Sequence, residues 1–167
     1  MHIKTLKDLY IFGLQDMNDG CRQSFETMEA MQGLADHPHL KRLTEEALKA
    51  MHRALEIFST LLEKHGAEEI STGNKALKAL AEEARALAID GKFETPALRD
   101  LAILSKIRII AHYPDAGFET FANQAHGLGF EDDVRILKGE GAETIDNAQA
   151  FQMMRQIETA LMGAIKG

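Results

Sequence analysis

Apolar side chains recur every three or four residues along most of this chain, the spacing of helices that bury one face and wet the other. Leu6, Leu9, Tyr10, Leu14, Met17, Cys21, Phe25, Met28 and Met31 form the first such series. Thr5 followed by Asp8 reads as a helix start, so a first helix is expected over residues 6–33. Gly33 and the His37-Pro38 step break it. A second series, Leu40, Leu43, Ala47, Met51, Ala54, Leu55, Phe58, Leu61 and Leu62, then runs to Gly66. Residues from Gly66 to Asn74 are turn-like, and Ala76 to Ile89 make a shorter amphipathic stretch with Lys75, Lys78, Glu82, Glu83 and Arg85 on its wet side. Thr95-Pro96 sets an N-cap before a proline at the first helical position, predicting a third helix to about His126. Pro114 lies inside it, where a proline costs about 3 kcal/mol unless the helix kinks or ends, so this element is expected either bent or in two pieces. After the Gly127-Leu128-Gly129 stop, Glu131 to Ala164 carries Val134, Leu137, Gly141, Ile145, Ala148, Phe151, Ile157 and Leu161 at helical spacing and reads as a fourth helix.

Short turns make the first and second helices antiparallel neighbours, and the third and fourth likewise. A helix of about 28 residues is about 42 Å long, and the insert from Gly66 to Glu94 can span that length, so the second and third helices can run parallel. Two up-down pairs joined by a crossover with a small helix describe a ferritin-like four-helix bundle, here one domain over residues 1–167. Composition agrees with an all-α fold: Ala 23, Leu 19 and Met 8 dominate, and Val134 is the sole valine.

Charge and targeting signals narrow the setting. A net charge of −7 argues against a nucleic-acid partner. Ile109 to Ala111 is cut off by Arg108 and His112, far short of the roughly 20 residues of a membrane span. Met1-His2-Ile3-Lys4 opens no apolar leader, and the lone Cys21 has no partner for a disulfide, so a cytoplasmic, reducing location is expected. No phosphate loop or nucleophile elbow appears, and Met and Phe at helical spacing read as core rather than as a haem or flavin box.

Bundles of this order house two-metal centres when Glu and Glu-x-x-His pairs project inward. That signature is absent, since Lys49, Ile109 and Asn123 stand three before His52, His112 and His126. The remaining pairings at one helix face are His52 with Glu56, His112 with Asp115, and Glu143 with Asp146. His52 and Glu56 read equally as a solvated pair, and His112 as a partner for a carbonyl freed by Pro114. Glu140 and Glu143 flank Gly141 beside the last apolar stripe, and Cys21 reads as a small buried side chain.

Several of these stretches resemble the YciE/YciF-like stress proteins of the ferritin-like superfamily. The likeness is carried by Lys4-Thr5-Leu6-Lys7-Asp8-Leu9-Tyr10, by Leu14-Gln15-Asp16, by His112-Tyr113 followed by Ala116-Gly117-Phe118, and by Leu128-Gly129. The resemblance implies a bundle dimer, inward carboxylates suited to two iron-like ions, and a role in stress physiology. It also exposes departures: Cys21 stands where the family pattern has a Glu, Ala111 and Pro114 stand for the acids around the His-Tyr pair, and His52 lies near another expected Glu. Glu143 is retained, with Thr144 beside it.

The leading expectation is a non-enzymatic bundle that holds no cofactor, its metal site degenerate at Cys21, Ala111 and Pro114, acting as an interaction or protective module. A homodimer is expected because Ile103, Leu104, Ile107, Ile109 and Ile110 occupy more than one face of the third helix, although the crossover helix could cover them instead. A second reading is an iron- or manganese-dependent oxidase or peroxide-handling enzyme using His52, His112, Asp115 and Glu143. A third is a single-metal, zinc-like regulatory bundle using Cys21 with His52 and His112.

Overall fold

The computed structural model describes residues 2–139 and 147–166. It is an all-α bundle: α1 is Leu6–Leu34, α2 Pro38–Lys64, α3 Lys75–Ala84, α4 Pro96–Gly127, α5 Glu131–Leu137 and α6 Asn147–Lys166. A π-helical turn, Arg85–Ile89, extends α3. None of the described helices is long and apolar enough to cross a membrane.

The helix starts are made by the residues that announce them. Thr5 and Asp8 close a reciprocal capping box, the Asp8 amide donating to Thr5 Oγ1 at 3.1 Å and the Thr5 amide to Asp8 Oδ2 at 3.0 Å. Asn74 Oδ1 accepts from the Leu77 amide at 2.9 Å to start α3, and Thr95 caps α4 ahead of Pro96. Gly33 does not end α1. The chain leaves the helix at Ala35 (ψ 133), and buried Asp100 of α4 receives the Asp36 and His37 amides at 2.9 and 2.8 Å, fixing the turn into α2.

That turn gives the helix directions. Asp100, near the start of α4, meets the α1–α2 corner. At the other end, Tyr10 near the start of α1 and His65 just past α2 both reach Asp133 of α5. So α1 and α2 are antiparallel, and α4 runs parallel to α2, as the long insert allows. Arg108 of α4 pairs with Glu158 of α6 at 2.8 Å, and His112 stacks on Phe151, so α6 returns antiparallel to α4.

One open alternative closes and one expectation changes. α4 is one helix of 32 residues that does not end at Pro114. Proline removes one donor, and the packing of α4 against α1, α3 and α6 along its length holds it through that point. The fourth helix, in contrast, is not continuous from Glu131 to Ala164. α5 stops after two turns, its end marked by Gly139 at φ 68, a left-handed conformation that costs glycine little and would strain other residues. The chain is helical again from Asn147.

Ile103, Leu104, Ile107 and Ile110 are all within about 2% of full burial inside this one chain, and only Ile109 is exposed. α3 with its π-helical turn and α6 supply the cover. Their burial therefore requires no second copy. α1 and α4 approach closely, because Gly13 and Gly117 leave the space that Phe121 and Met17 fill: a Cβ on Gly13 would sit 2.5 Å from Phe121 Cε1, and one on Gly117 2.4 Å from Met17 Cε.

Candidate functional site

The centre of a metal-binding bundle would need carboxylates pointing inward from facing helices. Here the Phe58 layer, in the half of the bundle nearer the His65 end of α2, is apolar, although α1 also buries Asn18, Asp19 and Ser24. Phe58 of α2 is fully buried, stacked on Phe118 of α4 (centroids 4.9 Å apart, planes 24°) and edge-on to Phe121 (6.3 Å, 84°). Met17 and Cys21 of α1 and Ile107 and Ile110 of α4 share the same core. Cys21 is 2% exposed, and burial pushes its thiol up to about 12, so it stays protonated at neutral pH and is a poor metal ligand.

The expected ligands do not converge on that centre. Met51 turns inward and His52, one residue on, is exposed, its ring edge against Phe25 of α1 (4.5 Å, 64°). A single residue is about 100° of helix, enough to carry a side chain from core to surface. His112 is exposed and stacks face to face on Phe151 (3.8 Å, 7°). It borders an open groove of about 570 Å³ between α1, α3 and α4, which Asp16, Tyr113 and Thr120 also line. Asp115 lines a different groove, between α2, α4 and α5, together with Arg53 and Glu119. Ala111 faces a third space, between α2, α4 and α6, and Pro114 is half-buried within α4. Glu140, Glu143 and Asp146 lie outside the described residues. Among the described residues no group of three or more His, Cys, Asp or Glu is placed to hold a metal ion. The residues described do not fit a two-metal carboxylate centre.

The buried acids stand elsewhere. Asp133 has no exposed surface and accepts from Tyr10 Oη (2.9 Å), from Lys64 Nζ (2.6 Å) and pairs with His65 Nε2 (2.6 Å). Burial disfavours its charge, but the bonds from His65, Lys64 and Tyr10 outweigh that and hold the carboxyl below its ordinary value. Burial, and then the neighbouring Asp133 carboxylate, push the Tyr10 hydroxyl far above its usual range. Phe130 packs on both the Tyr10 and His65 rings.

Asp19 of α1 makes the second cluster. Its Oδ2 accepts from the Gly73 and Asn74 amides at 2.8 and 3.2 Å and from Gln23 Nε2 at 2.8 Å, while Asp16 receives Thr72 Oγ1 at 2.7 Å and Asn74 Nδ2 at 2.6 Å. Burial raises the Asp19 carboxyl, and these donors more than reverse it. Every such acid fastens a connection: Asp100 the α1–α2 turn, Asp19 the start of the crossover helix, Asp133 the short α5. Sequence reading passed over all three. A tyrosine on an apolar stripe, needing a partner for its hydroxyl, was the one signal pointing toward Asp133.

Comparison with known proteins places this arrangement. YcfI from Rhodopseudomonas palustris, described as a structural protein, superposes with a TM-score of 0.74 at 23% identity, over 95% of this chain and 94% of that one. The Escherichia coli stress protein YciF superposes with a TM-score of 0.74 at 20% identity, over 97% and 95%. At such identities the likeness establishes the fold, a YciF-like bundle. No curated protein matches the sequence. The family model described as a domain of unknown function, DUF892, matches residues 5–162, nearly the whole chain, and the protein therefore belongs to the DUF892 family.

Proposed function

We propose that this protein is a non-enzymatic ferritin-like bundle whose two-metal carboxylate centre has been lost, and that it serves as a stress-related interaction or protective module. The observation that supports this is the apolar layer toward the His65 end of the bundle, Phe58 between Phe118 and Phe121, with Met17 and Cys21 in the same core. Carboxylates buried around a vacant metal site would repel one another and lack partners, at a cost of several kcal/mol. Phenylalanine, methionine and a protonated thiol carry no such penalty, so the core is complete without an ion. The descriptions of YcfI as structural and of YciF as a stress protein accord with a role of this kind. A homodimer in the cytoplasm belongs to the same proposal, the dimer resting on the family resemblance and the location on the lone cysteine.

The test is metal content per chain, by elemental analysis after loading with ferrous iron, manganese or zinc and desalting, with His112→Ala alongside and thermal unfolding with and without chelator. Metal at the level of the buffer blank and an unchanged unfolding temperature are expected. Near two metals per chain, depleted in His112→Ala, would overturn the reading in favour of the oxidase. Sedimentation as a monomer at micromolar concentration would remove the dimer.

A further inference from the structure

The groove that Asp16 and His112 border has the size of a ligand site. Its volume is about 570 Å³, inside the roughly 300–1,000 Å³ span of small-molecule pockets. α1, α3 and α4 alone supply its walls: Phe12 and Met17 from α1, Leu80 from α3, Tyr113 and Phe121 from α4. Ala116, in the α4 wall, ends at Cβ and is exposed, so the groove opens to solvent on that side.

One wall is charged. Asp16 lines the groove with its carboxylate held in place, Oδ1 accepting from Thr72 Oγ1 at 2.7 Å and Oδ2 from Asn74 Nδ2 at 2.6 Å. Asp19, three residues on, shares the same Thr72 hydroxyl at 3.2 Å and takes its other bonds from Gln23 and the Gly73 and Asn74 amides. Every one of these donors is neutral. Hydroxyls and amides orient a carboxylate without cancelling its charge, and each oxygen can accept a further bond. Residues 140–146 contain no lysine or arginine and bring no counter-charge.

Aromatic rings beside a fixed negative charge match an organic ammonium ion. Its body spreads over apolar surface, ring faces attract the cation, and a charge-assisted hydrogen bond joins N–H to carboxylate. A bare metal ion would need several such ligands together, and no group of three or more is so placed among the described residues. We propose that this groove binds a small primary ammonium ion with an aryl or alkyl body, the body on Phe12, Tyr113 and Phe121 and the ammonium on Asp16. The assignment goes beyond the metal-free reading of the core and does not depend on it.

Phenethylamine, protonated at neutral pH, is the probe, titrated calorimetrically against the full chain. One phenethylamine per chain, bound saturably, is expected, with the neutral isostere phenethyl alcohol about tenfold weaker. Asp16→Asn keeps an acceptor for Thr72 but removes the charge, and should bring the amine down to the affinity of the alcohol. Ala116→Leu fills the groove from an exposed position outside the Thr72 and Asn74 contacts, and should abolish binding of both with the unfolding temperature unchanged. A folding defect in Asp16→Asn therefore leaves Ala116→Leu and the comparison of amine with alcohol to decide. No saturable binding of the amine to the wild type, whether nothing fits or a second copy occupies this face, would overturn the site, as would binding that survives in folded Ala116→Leu. Equal affinity for amine and alcohol in the wild type, or for the amine in wild type and folded Asp16→Asn, would overturn the ammonium assignment.

Discussion

Two turns in from the His65 end of α2, Phe58 is sealed by Phe118 and Phe121; at that end itself, Asp133 is sealed just as completely by Tyr10, Lys64 and His65. Both side chains have no exposed surface. The first is held by area and shape, which are indifferent to pH and salt, and the second by charge and direction, which are not. In a metal-bearing bundle the polar residues would be at the centre. Here the Phe58 layer is apolar, and the buried acids Asp19, Asp100 and Asp133 tie connections to long helices.

That contrast can be broken from either side. The largest effect should come from Phe58→Ala, which opens a void among three aromatic rings and should lower unfolding stability by about 4 kcal/mol in urea titrations, equally at pH 5 and pH 8. An unchanged midpoint would mean that the rings do not carry the centre. Asp133→Ala comes next. It strands the Tyr10 hydroxyl and the His65 ring and should cost about 3 kcal/mol, less than a fully desolvated ion pair because Lys64 remains partly in water. Its loss should fall first on α5, seen as faster amide exchange over Glu131–Leu137 than in the wild type.

The smallest effect, and the sharpest diagnostic, is the pH profile. Asp133 and Asp19 ionise more readily in the folded protein than their ordinary value of 3.8, so their contribution is present above that pH and lost as pH falls below it. Tyr10 and Cys21 are shifted the other way, from 10.0 and 9.0, so they stabilise fully below those values and progressively less as pH rises through them. Thermal unfolding should therefore be flat through neutrality and fall on both sides, the alkaline limb beginning near Cys21's ordinary value of 9.0 and steepening past 10.0. Tyr10→Phe should cost about 1 kcal/mol at neutral pH and remove the steeper part of that limb. A limb unchanged in Tyr10→Phe would show that Tyr10 does not titrate against Asp133.

The fold was legible where a helix start has its own chemistry. Thr5 with Asp8, and Thr95 before Pro96, each make a local hydrogen bond that sequence spacing reveals, whereas the Asn74 cap of α3 lay at the end of a stretch read only as turn-like. The break after Leu137 was not legible, because Val134, Leu137, Gly141 and Ile145 keep helical period straight across it, and Gly139 is compatible with either outcome until its φ is known. The site was harder still. Met51 and His52 are neighbours, and which of them faces inward turns on helix phase alone. Glu131, Asp132 and Asp133 are three acids in a row, and it is the approach of His65 and Tyr10, distant in sequence, that selects the third, since Lys64 reaches Asp132 as well.

The bond from Tyr10 to Asp133 joins residues 123 apart. During synthesis α1 and α2 leave the ribosome long before α5 exists, and domains begin to fold from the amino-terminal side. Until residue 133 emerges, the Tyr10 hydroxyl and the His65 ring have no Asp133 to bind. The nascent hairpin is thus left with a polar vacancy at one end that only a late segment can fill. The order of translation makes α5 a clasp, closing on α1 only after α2, α3 and α4 have been made.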